Sequence, residues 1–355
     1  MHQHPQLRLL SASRADSHAA WADWLCNALP GFNWRRVELP GRHFRWRIRG
    51  NPLSWLDELA APAPDALVAT SMVDLATLRG LHPTLARVPA LYYFHENQFA
   101  YPVGEHQVRS IEPQMVQLYG ALAADHAVFN SRFNRDSFLD GVRQLLARMP
   151  DAVPGGIVER LSAKTSVLPV PIAPIEPATA DRDTRLILWN HRWEYDKAPD
   201  AFAGAVLELA RRGLDFRLAL LGARPLQPPP SLQTLRRHLG ERIIADGHVS
   251  RAAYQTILGR AGIAVSTALH EFQGLAMLEA VSAGAAPLVP DTLAYTEQYP
   301  AAYRYPAGDS AALVNRLAQW LTQGPPAAPD VHPWTEAALL PAWREALQSL
   351  LSSKQ

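Results

Sequence analysis

The chain has 355 residues, 48% apolar and 19% charged, and Lys+Arg 34 against Asp+Glu 33 leaves a net charge of +1. About twice the length of an ordinary domain predicts two domains, and the composition excludes long-range disorder. The charge balance excludes a protein that coats polyanions over its whole surface, but not a local basic patch.

The single cysteine, Cys26, rules out an internal disulfide and a Cys-based zinc site, and it reads as an inert core residue. The start, Met1-His2-Gln3-His4-Pro5, lacks the basic and apolar stretches of a signal peptide. No segment approaches the roughly 20 apolar residues of a membrane span. A soluble, cytoplasmic protein is expected. Only Lys164, Lys197 and Lys354 are lysines, which draws attention to Lys197.

In chain order, apolar runs at 7–10, 66–69, 90–94 and 126–129 predict buried strands, with helical patterns at 19–28, 74–78 and 114–124. The alternation resumes with strands at 185–189, 217–221, 242–245, 263–266 and 286–289, and helices at 198–212, 231–239, 252–260 and 274–283. Alternating strands and helices imply α/β architecture with parallel sheets covered on both faces. Residues 167–177 (VLPVPIAPIEP) hold prolines at 169, 171, 174 and 177 and cannot form helix. The expected organisation is an N-terminal domain over 1–168, a Pro-rich linker over 169–180 and a C-terminal domain over 181–330. A C-terminal helix follows within 331–355, its pattern clearest at 335–351, able to pack back across the domains. The Pro-rich stretch 225–230 reads as a surface loop.

Ligands bind such sheets at the carboxyl ends of their strands. There the sequence is polar: His95-Glu96-Asn97-Gln98, Asn130-Ser131-Arg132-Phe133-Asn134, Asn190-His191-Arg192-Trp193-Glu194 and Thr267-Ala268-Leu269-His270-Glu271. Polar strand ends in both halves predict a site in a cleft between two domains.

Arg192 and Lys197 precede a helix that begins near Pro199, with Asp196 placed to assist its N-terminus. Two cations beside unpaired backbone N–H groups suit a diphosphate; alone, such a pair is more often a pair of solvated surface charges. Glu271 and Glu279 lie eight residues apart, with Gly274 opening a helix between them. N–H groups at Gly274 and Leu275 can meet phosphate, and carboxylates accept hydrogen bonds from sugar hydroxyls. Glu279, among apolar neighbours, calls for a defined partner.

The segment H-E-F-Q-G-L-A-M-L-E-A-V-S-A-G (270–284) resembles the nucleotide-sugar motif of retaining GT-B glycosyltransferases of the GT4 type. Arg192 and Lys197 match that family's phosphate-binding pair in order and spacing. Over most of the chain, FHENQFAYP (94–102), NSRFNRDSF (130–138), WRRVELPGRHFRWRIRG (34–50) and NHRWEYDKAPDAF (190–202) resemble the tRNA-queuosine α-mannosyltransferase group, also described as glycosyltransferase-like domain-containing proteins. The resemblance implies a GT-B fold, two Rossmann-like domains facing each other across a cleft. It also implies transfer of mannose from GDP-mannose, with retention, to the cyclopentenediol of queuosine in a tRNA.

By resemblance, Arg192 and Lys197 neutralise the diphosphate and Glu271 holds sugar hydroxyls. Gly274 and Leu275 offer N–H groups, Glu279 holds the ribose, and Asn190, Gly222, His248 and Val249 complete the donor site. On the acceptor side His95 sits over the reacting sugar, with Glu96, Asn97 and Asn130 nearby and Ser17-His18 in the loop after the first strand. That loop departs from the family in lacking its glycine pair. The expected catalytic set is His95, Arg192, Lys197 and Glu271.

Departure of the diphosphate develops negative charge where Arg192, Lys197 and helix-start dipoles act. No equally clear nucleophile stands opposite Glu271 as in retaining glycosidases. The resemblance implies the family's same-face attack, with the leaving phosphate receiving the acceptor proton. No metal cofactor is expected; Asp181-Arg182-Asp183 has the letters of a metal motif but falls in the linker region.

Residues 34–49 carry Arg35, Arg36, Arg42, Arg45, Arg47 and Arg49 against Glu38, a local net charge of +5 within a half (1–176) whose remainder sums to −4. Alternation with Phe44, Trp46 and Ile48 predicts an extended strand with Arg45, Arg47 and Arg49 on one face. Arginines interleaved with aromatics suit nucleic-acid contact; a charge-protected edge strand gives the same pattern. With the resemblance, Arg42, Arg45, Arg47 and Arg49 are expected to meet the tRNA. The partners implied are a nucleotide sugar and tRNA, with no obligate protein partner. The alternatives are a GT4-like enzyme with another nucleotide sugar and a lipid, glycan or small-metabolite acceptor, and a non-catalytic tRNA-binding protein on a transferase scaffold.

Overall fold

The computed structural model describes residues 4–101, 110–177, 182–224 and 229–352. The chain forms two compact units, one of residues 1–171 with 337–355 and the other of residues 172–336.

In the first unit β1 (Gln6–Arg14), α1 (Asp16–Ala28), β2 (Asn33–Pro40) and α2 (Phe44–Ser54) are followed by β3 (Ala66–Thr70), α3 (Leu75–Leu81) and β4 (Ala90–Phe94). Then come α4 (Glu112–Ala123), β5 (His126–Phe129), α5 (Arg132–Leu146), α6 (Ile157–Ser162) and β6 (Thr165–Val167). The strands pair in parallel in the order β2-β1-β3-β4-β5-β6. Every residue of β3 and β4 is buried, as expected of strands covered on both faces. The strand order reverses between β1 and β3, which opens a crevice at their carboxyl ends.

The second unit contains β7 (Asp183–Trp189), α7 (Pro199–Arg211), β8 (Arg217–Leu220), α8 (Pro230–Leu239), β9 (Ile243–Asp246) and α9 (Arg251–Arg260). It continues through β10 (Ala261–Val265), α10 (Leu275–Ser282), β11 (Ala286–Pro290), α11 (Tyr295–Gln298), β12 (Arg304–Tyr305) and α12 (Ser310–Gln323). Its parallel order, β12-β11-β10-β7-β8-β9, is that of a dinucleotide-binding sheet. The reversal falls between β7 and β10.

The last helix, α13 (Glu336–Ser352), returns to the first unit. Its Trp343 is fully buried against Trp21 and Tyr93 at ring separations of 5.7 and 5.0 Å, and its indole donates to the Pro169 carbonyl at 3.1 Å. After β6 the proline-rich chain runs without helix, and Ile172 bridges to Thr335 within the second unit. Residues 178–181 of the expected linker, with Asp181 of the DxD-like triplet, lie outside the described residues, as do Pro102 and 225–228 of the Pro-rich loop.

Three expectations are corrected. The segment 44–49 is not a strand but the start of α2, so Arg45, Arg47 and Arg49 do not share one face. β2 ends at Pro40 and the chain turns through His43, whose φ of 56° is left-handed. The helix then buries Arg47, Ile48 and Asn51, a helical spacing rather than an alternating one. Pro52 lacks the N–H that would bond the Ile48 carbonyl, and the Asn51 amide reaches that carbonyl at 3.3 Å instead. Second, Ser17 and His18 lie in the first turn of α1, not in a loop. Third, Asp196 does not cap α7, because its carboxylate turns to Lys197.

Candidate active site

In the second unit the segments after β7 and β10 lie on either side of the point where strand order reverses. Lys197, 7% exposed, places its Nζ 3.1 Å from Glu271 Oε2 and 3.2 Å from Asp196 Oδ2, and donates to the His270 carbonyl at 2.8 Å. The segments are tied through the backbone as well. The Asp196 carbonyl accepts from Leu269 N at 2.8 Å, and Thr267 Oγ1 donates to the Lys197 and Ala198 carbonyls at 2.8 and 3.0 Å. Ala198 is held there at a left-handed φ of 47°.

Burial alone lowers the Lys197 pKa, but Glu271 and then Asp196 outweigh it and raise the ammonium above its ordinary value. Burial pushes the Glu271 carboxyl up, yet the Lys197 ammonium overcomes this and brings it down to about 2. His191 is buried and falls to about 3, and His270 to about 4, in both cases chiefly through desolvation and then Lys197. Near neutral pH this is one ammonium among carboxylates and uncharged imidazoles.

Gly274, at φ 66°, precedes α10, and a Cβ there would stand 2.9 Å from Tyr295 Cε1. Leu275 is the first helical residue. Glu279 has the defined partner its surroundings demanded. Tyr254 Oη donates to its Oε2 at 2.7 Å and Arg251 Nη1 lies 3.5 Å from its Oε1. Asn190 donates to the Ala276 carbonyl at 2.8 Å and approaches Tyr254 Oη at 3.4 Å. Gly222, at φ 95°, packs so closely that a Cβ would stand 2.0 Å from the His191 carbonyl oxygen. Arg192 is exposed and pairs with Glu194 at 3.3 Å, so the two expected cations differ: Lys197 is enclosed, Arg192 open. His248 is exposed in the turn before α9, with Val249 half-buried beside it.

In the first unit His95 follows β4 and is buried. Its ring stacks on His18 at 4.2 Å and meets Trp21 and Tyr93 edge-on at 4.7 Å each. Desolvation, with His18 adding to it, keeps the His95 pKa well below the ordinary imidazole value, and desolvation takes His18 to about 4. Both rings are neutral near pH 7, and His18 Nδ1 lies 3.2 Å from the Ser13 carbonyl.

Asn97 and Asn130, expected to touch the acceptor, turn their amides to protein groups. Asn97 is fully buried, donates to the Asn134 carbonyl at 3.0 Å, and accepts from Phe99 N and Ala100 N at 3.0 and 2.9 Å. Asn130 donates to the His95 carbonyl at 2.8 Å and accepts from Asn134 Nδ2 at 2.8 Å. Together they fix the backbone that carries His95. Glu96 is half-buried, and its carbonyl accepts from Ser71 Oγ at 3.0 Å. Ser17, Arg42, Arg45 and Arg49 are exposed, Arg49 pairing with Asp74 at 2.5 Å, whereas Arg47 is buried.

Among the described residues several buried polar atoms have no partner, and those near the strand ends include Asn190 Oδ1, His191 Nε2 and Asp196 Oδ1 in the second unit and His95 Nε2 in the first. A buried polar atom is seldom left unsatisfied, and these cluster at the strand ends where ligands bind. Among the described residues no group of three or more His, Cys, Asp or Glu is arranged to hold a metal ion, and no helix is long and apolar enough to cross a membrane. Cys26 is half-buried, its thiol pushed up to about 11 by desolvation.

Residues 6–172 match the family model described as tRNA-queuosine alpha-mannosyltransferase N-terminal, and 184–323 match that described as Glycosyl transferases group 1. A Drosophila melanogaster protein named tRNA-queuosine alpha-mannosyltransferase is 33% identical over 326 residues, 88% of this chain and 86% of its own length. The chain belongs to the tRNA-queuosine alpha-mannosyltransferase family. It is accordingly a glycosyltransferase, and its two parallel six-stranded sheets are those of the GT-B fold. Anabaena HepE in complex with UDP is similar at TM-score 0.67 and 13% identity, with 98% of this chain and 100% of that one covered. Sucrose-phosphate synthase from Thermosynechococcus elongatus is similar at TM-score 0.68 and 14% identity, covering 98% and 95%. At such identities the likeness concerns the fold alone.

Tyr254, Asp196 and Thr267 were not among the expected site residues of this glycosyltransferase, nor was Asn134. Tyr254 lies 25 positions from its partner Glu279, and Thr267 lies 70 from Lys197. No local pattern announces such pairs. For Asn134 the helix-start spacing Ser131-x-x-Asn134 was the available signal, since Ser131 Oγ accepts from Asn134 N at 3.0 Å.

Proposed function

We propose that the chain transfers mannose from GDP-mannose to the cyclopentenediol of queuosine in tRNA, with retention of configuration. The observation that carries this reading is the 33% identity, over nearly the whole of both chains, to a protein named for that activity. The charge arrangement supports it: an ammonium with a raised pKa stands beside a carboxylate with a lowered one, and that carboxylate also accepts from the Gly274 N–H at the start of α10.

In this reading Arg192, Lys197 and the N–H groups of Gly274 and Leu275 stabilise the departing diphosphate. They supply the compensation that a divalent cation supplies in metal-dependent transferases, and no metal is used. Glu271 orients the sugar hydroxyls. Glu279, with Tyr254 and Asn190, holds the ribose, and Gly222, His248 and Val249 line the nucleotide pocket. An acceptor hydroxyl oxygen attacks the sugar C1 on the face the diphosphate leaves. The new C–O bond forms as the old one breaks, and the hydroxyl proton passes to a departing phosphate oxygen. Neutral His95, its Nε2 without a partner among the described residues, hydrogen-bonds the sugar. With tRNA as acceptor the chain works in the cytoplasm.

The test supplies GDP-mannose, UDP-glucose and UDP-galactose separately with queuosine-containing tRNA and weighs the digested nucleosides. A hexose increment with GDP-mannose alone is expected. Transfer from a UDP-sugar in preference would overturn the donor assignment.

A further inference from the structure

Helix α2 carries a surface that the transfer step does not use. Between 41 and 56 the sequence holds Arg42, Arg45, Arg47 and Arg49 and no acidic residue. Phe44 and Trp46, on its first turn, are exposed, Trp46 at 57%. A Cβ at Gly50 would stand 2.5 Å from Trp46 Cε2 and 2.7 Å from Cζ2, so the indole lies against the helix backbone at that glycine. One side of the ring is thereby fixed and the remainder faces outward.

The next residue is the reverse case. Arg47 is only 9% exposed, and its Nε and Nη1 are enclosed without an acceptor among the described residues. Among the described residues β1, α3 and α4 pack most closely on α2, and the carboxylate offered beside α3, that of Asp74, is taken by Arg49. Burying cationic N–H groups without a partner is costly, and such groups are commonly completed by a ligand.

Position supports a role at the acceptor. The sheet is parallel, so α2, which follows the carboxyl end of β2, begins at the same sheet edge as His95. Asn51 Nδ2 donates to the Met72 carbonyl at 3.2 Å, and Ser71 Oγ donates to the Glu96 carbonyl at 3.0 Å. One loop thus joins α2 to the residue after His95.

We propose that the first turns of α2 dock RNA, with a base stacked on Trp46 and a backbone phosphate supplying the acceptor that Arg47 lacks. The proposal rests on the reading that tRNA is the acceptor. Aromatic platforms beside cations are how proteins hold unpaired nucleotides. A ring laid flat on a helix is poorly placed to insert its edge into a membrane.

The test measures queuosine-tRNA binding at several salt concentrations for the whole chain and for Trp46→Ala and Arg47→Met. Arg47→Met is expected to weaken binding about ten-fold and to make log K against log salt shallower by about 0.7, the share of one phosphate. Its unfolding temperature should stay level or rise, since an unpartnered buried charge is removed. Trp46→Ala, exposed and safe to replace, should weaken binding by about ten-fold with the slope unchanged. If the unaltered chain modifies tRNA but both variants bind it equally well, the α2 proposal falls and the tRNA reading stands. If the unaltered chain neither binds nor modifies tRNA, both fall. Should Arg47→Met unfold, Trp46→Ala decides. A Trp46→Ala defect seen only with phosphatidylserine vesicles would assign the surface to membranes and overturn the proposal.

Discussion

At the scale of single residues the proposed chemistry centres on Lys197 and Glu271, 3.1 Å apart and enclosed. Replacing Lys197 by Ala should weaken GDP binding about 10- to 100-fold, the worth of one or two charge-assisted hydrogen bonds; calorimetric titration would show it, and unchanged affinity would remove Lys197 from the phosphate site. The pair also predicts a pH dependence. Glu271 ionises at about 2 in the folded chain against an ordinary 4.5, so its contribution is present above 4.5 and is lost as the pH falls from there towards 2. In Lys197→Ala the carboxylate loses its main stabiliser, and acid unfolding curves should show a smaller loss across that window.

At the scale of elements, the His18–His95 stack joins α1 to the end of β4. His18 ionises at about 4 when folded and at 6.5 ordinarily, so below 6.5 the unfolded chain takes up a proton that the folded chain refuses. Stability should fall between pH 6.5 and 4, and His18→Gln should flatten that decline. Helix α13 makes a separate prediction. Trp343→Ala removes a fully buried indole and its bond to Pro169, and should cost about 3–5 kcal/mol in denaturant unfolding of the first unit; a cost under 1 kcal/mol would mean that α13 is only loosely attached.

The same elements show what the sequence makes legible. Fully buried strands such as β3 and β4 announce themselves as apolar runs, and the polar residues that follow them mark the site. The start of α2 misleads because Arg45-Trp46-Arg47-Ile48-Arg49 has the period of a strand, while the left-handed turn at His43 and the bond of Asn51 to the distant Met72 carbonyl accompany a helix instead. Strands as short as β6 and β12 carry too few residues for any pattern. The asparagines after β4 and β5 look like ligand groups, and only the fold shows that Asn97 and Asn130 spend their amides on Asn134 and on the His95 carbonyl.

At the scale of the molecule, the near-neutral total conceals unlike parts. The first unit packs a neutral, aromatic cluster around His95, with arginine-bearing α2 on the same sheet edge. The second gathers an ammonium and two carboxylates where its strand order reverses. The six arginines of 34–49 are likewise divided: Arg36 is paired with Asp23 and Arg49 with Asp74, whereas Arg47 is enclosed. A local grip on one RNA accords with this distribution better than a general affinity for polyanions.

The central claim is tested most directly with two tRNAs of identical sequence, one carrying queuosine and the other the unmodified guanosine, each incubated with the chain and GDP-mannose. The account predicts one added hexose on the queuosine nucleoside and none on the guanosine-bearing tRNA. Hexose on both, or hydrolysis of GDP-mannose without transfer to either, would contradict it.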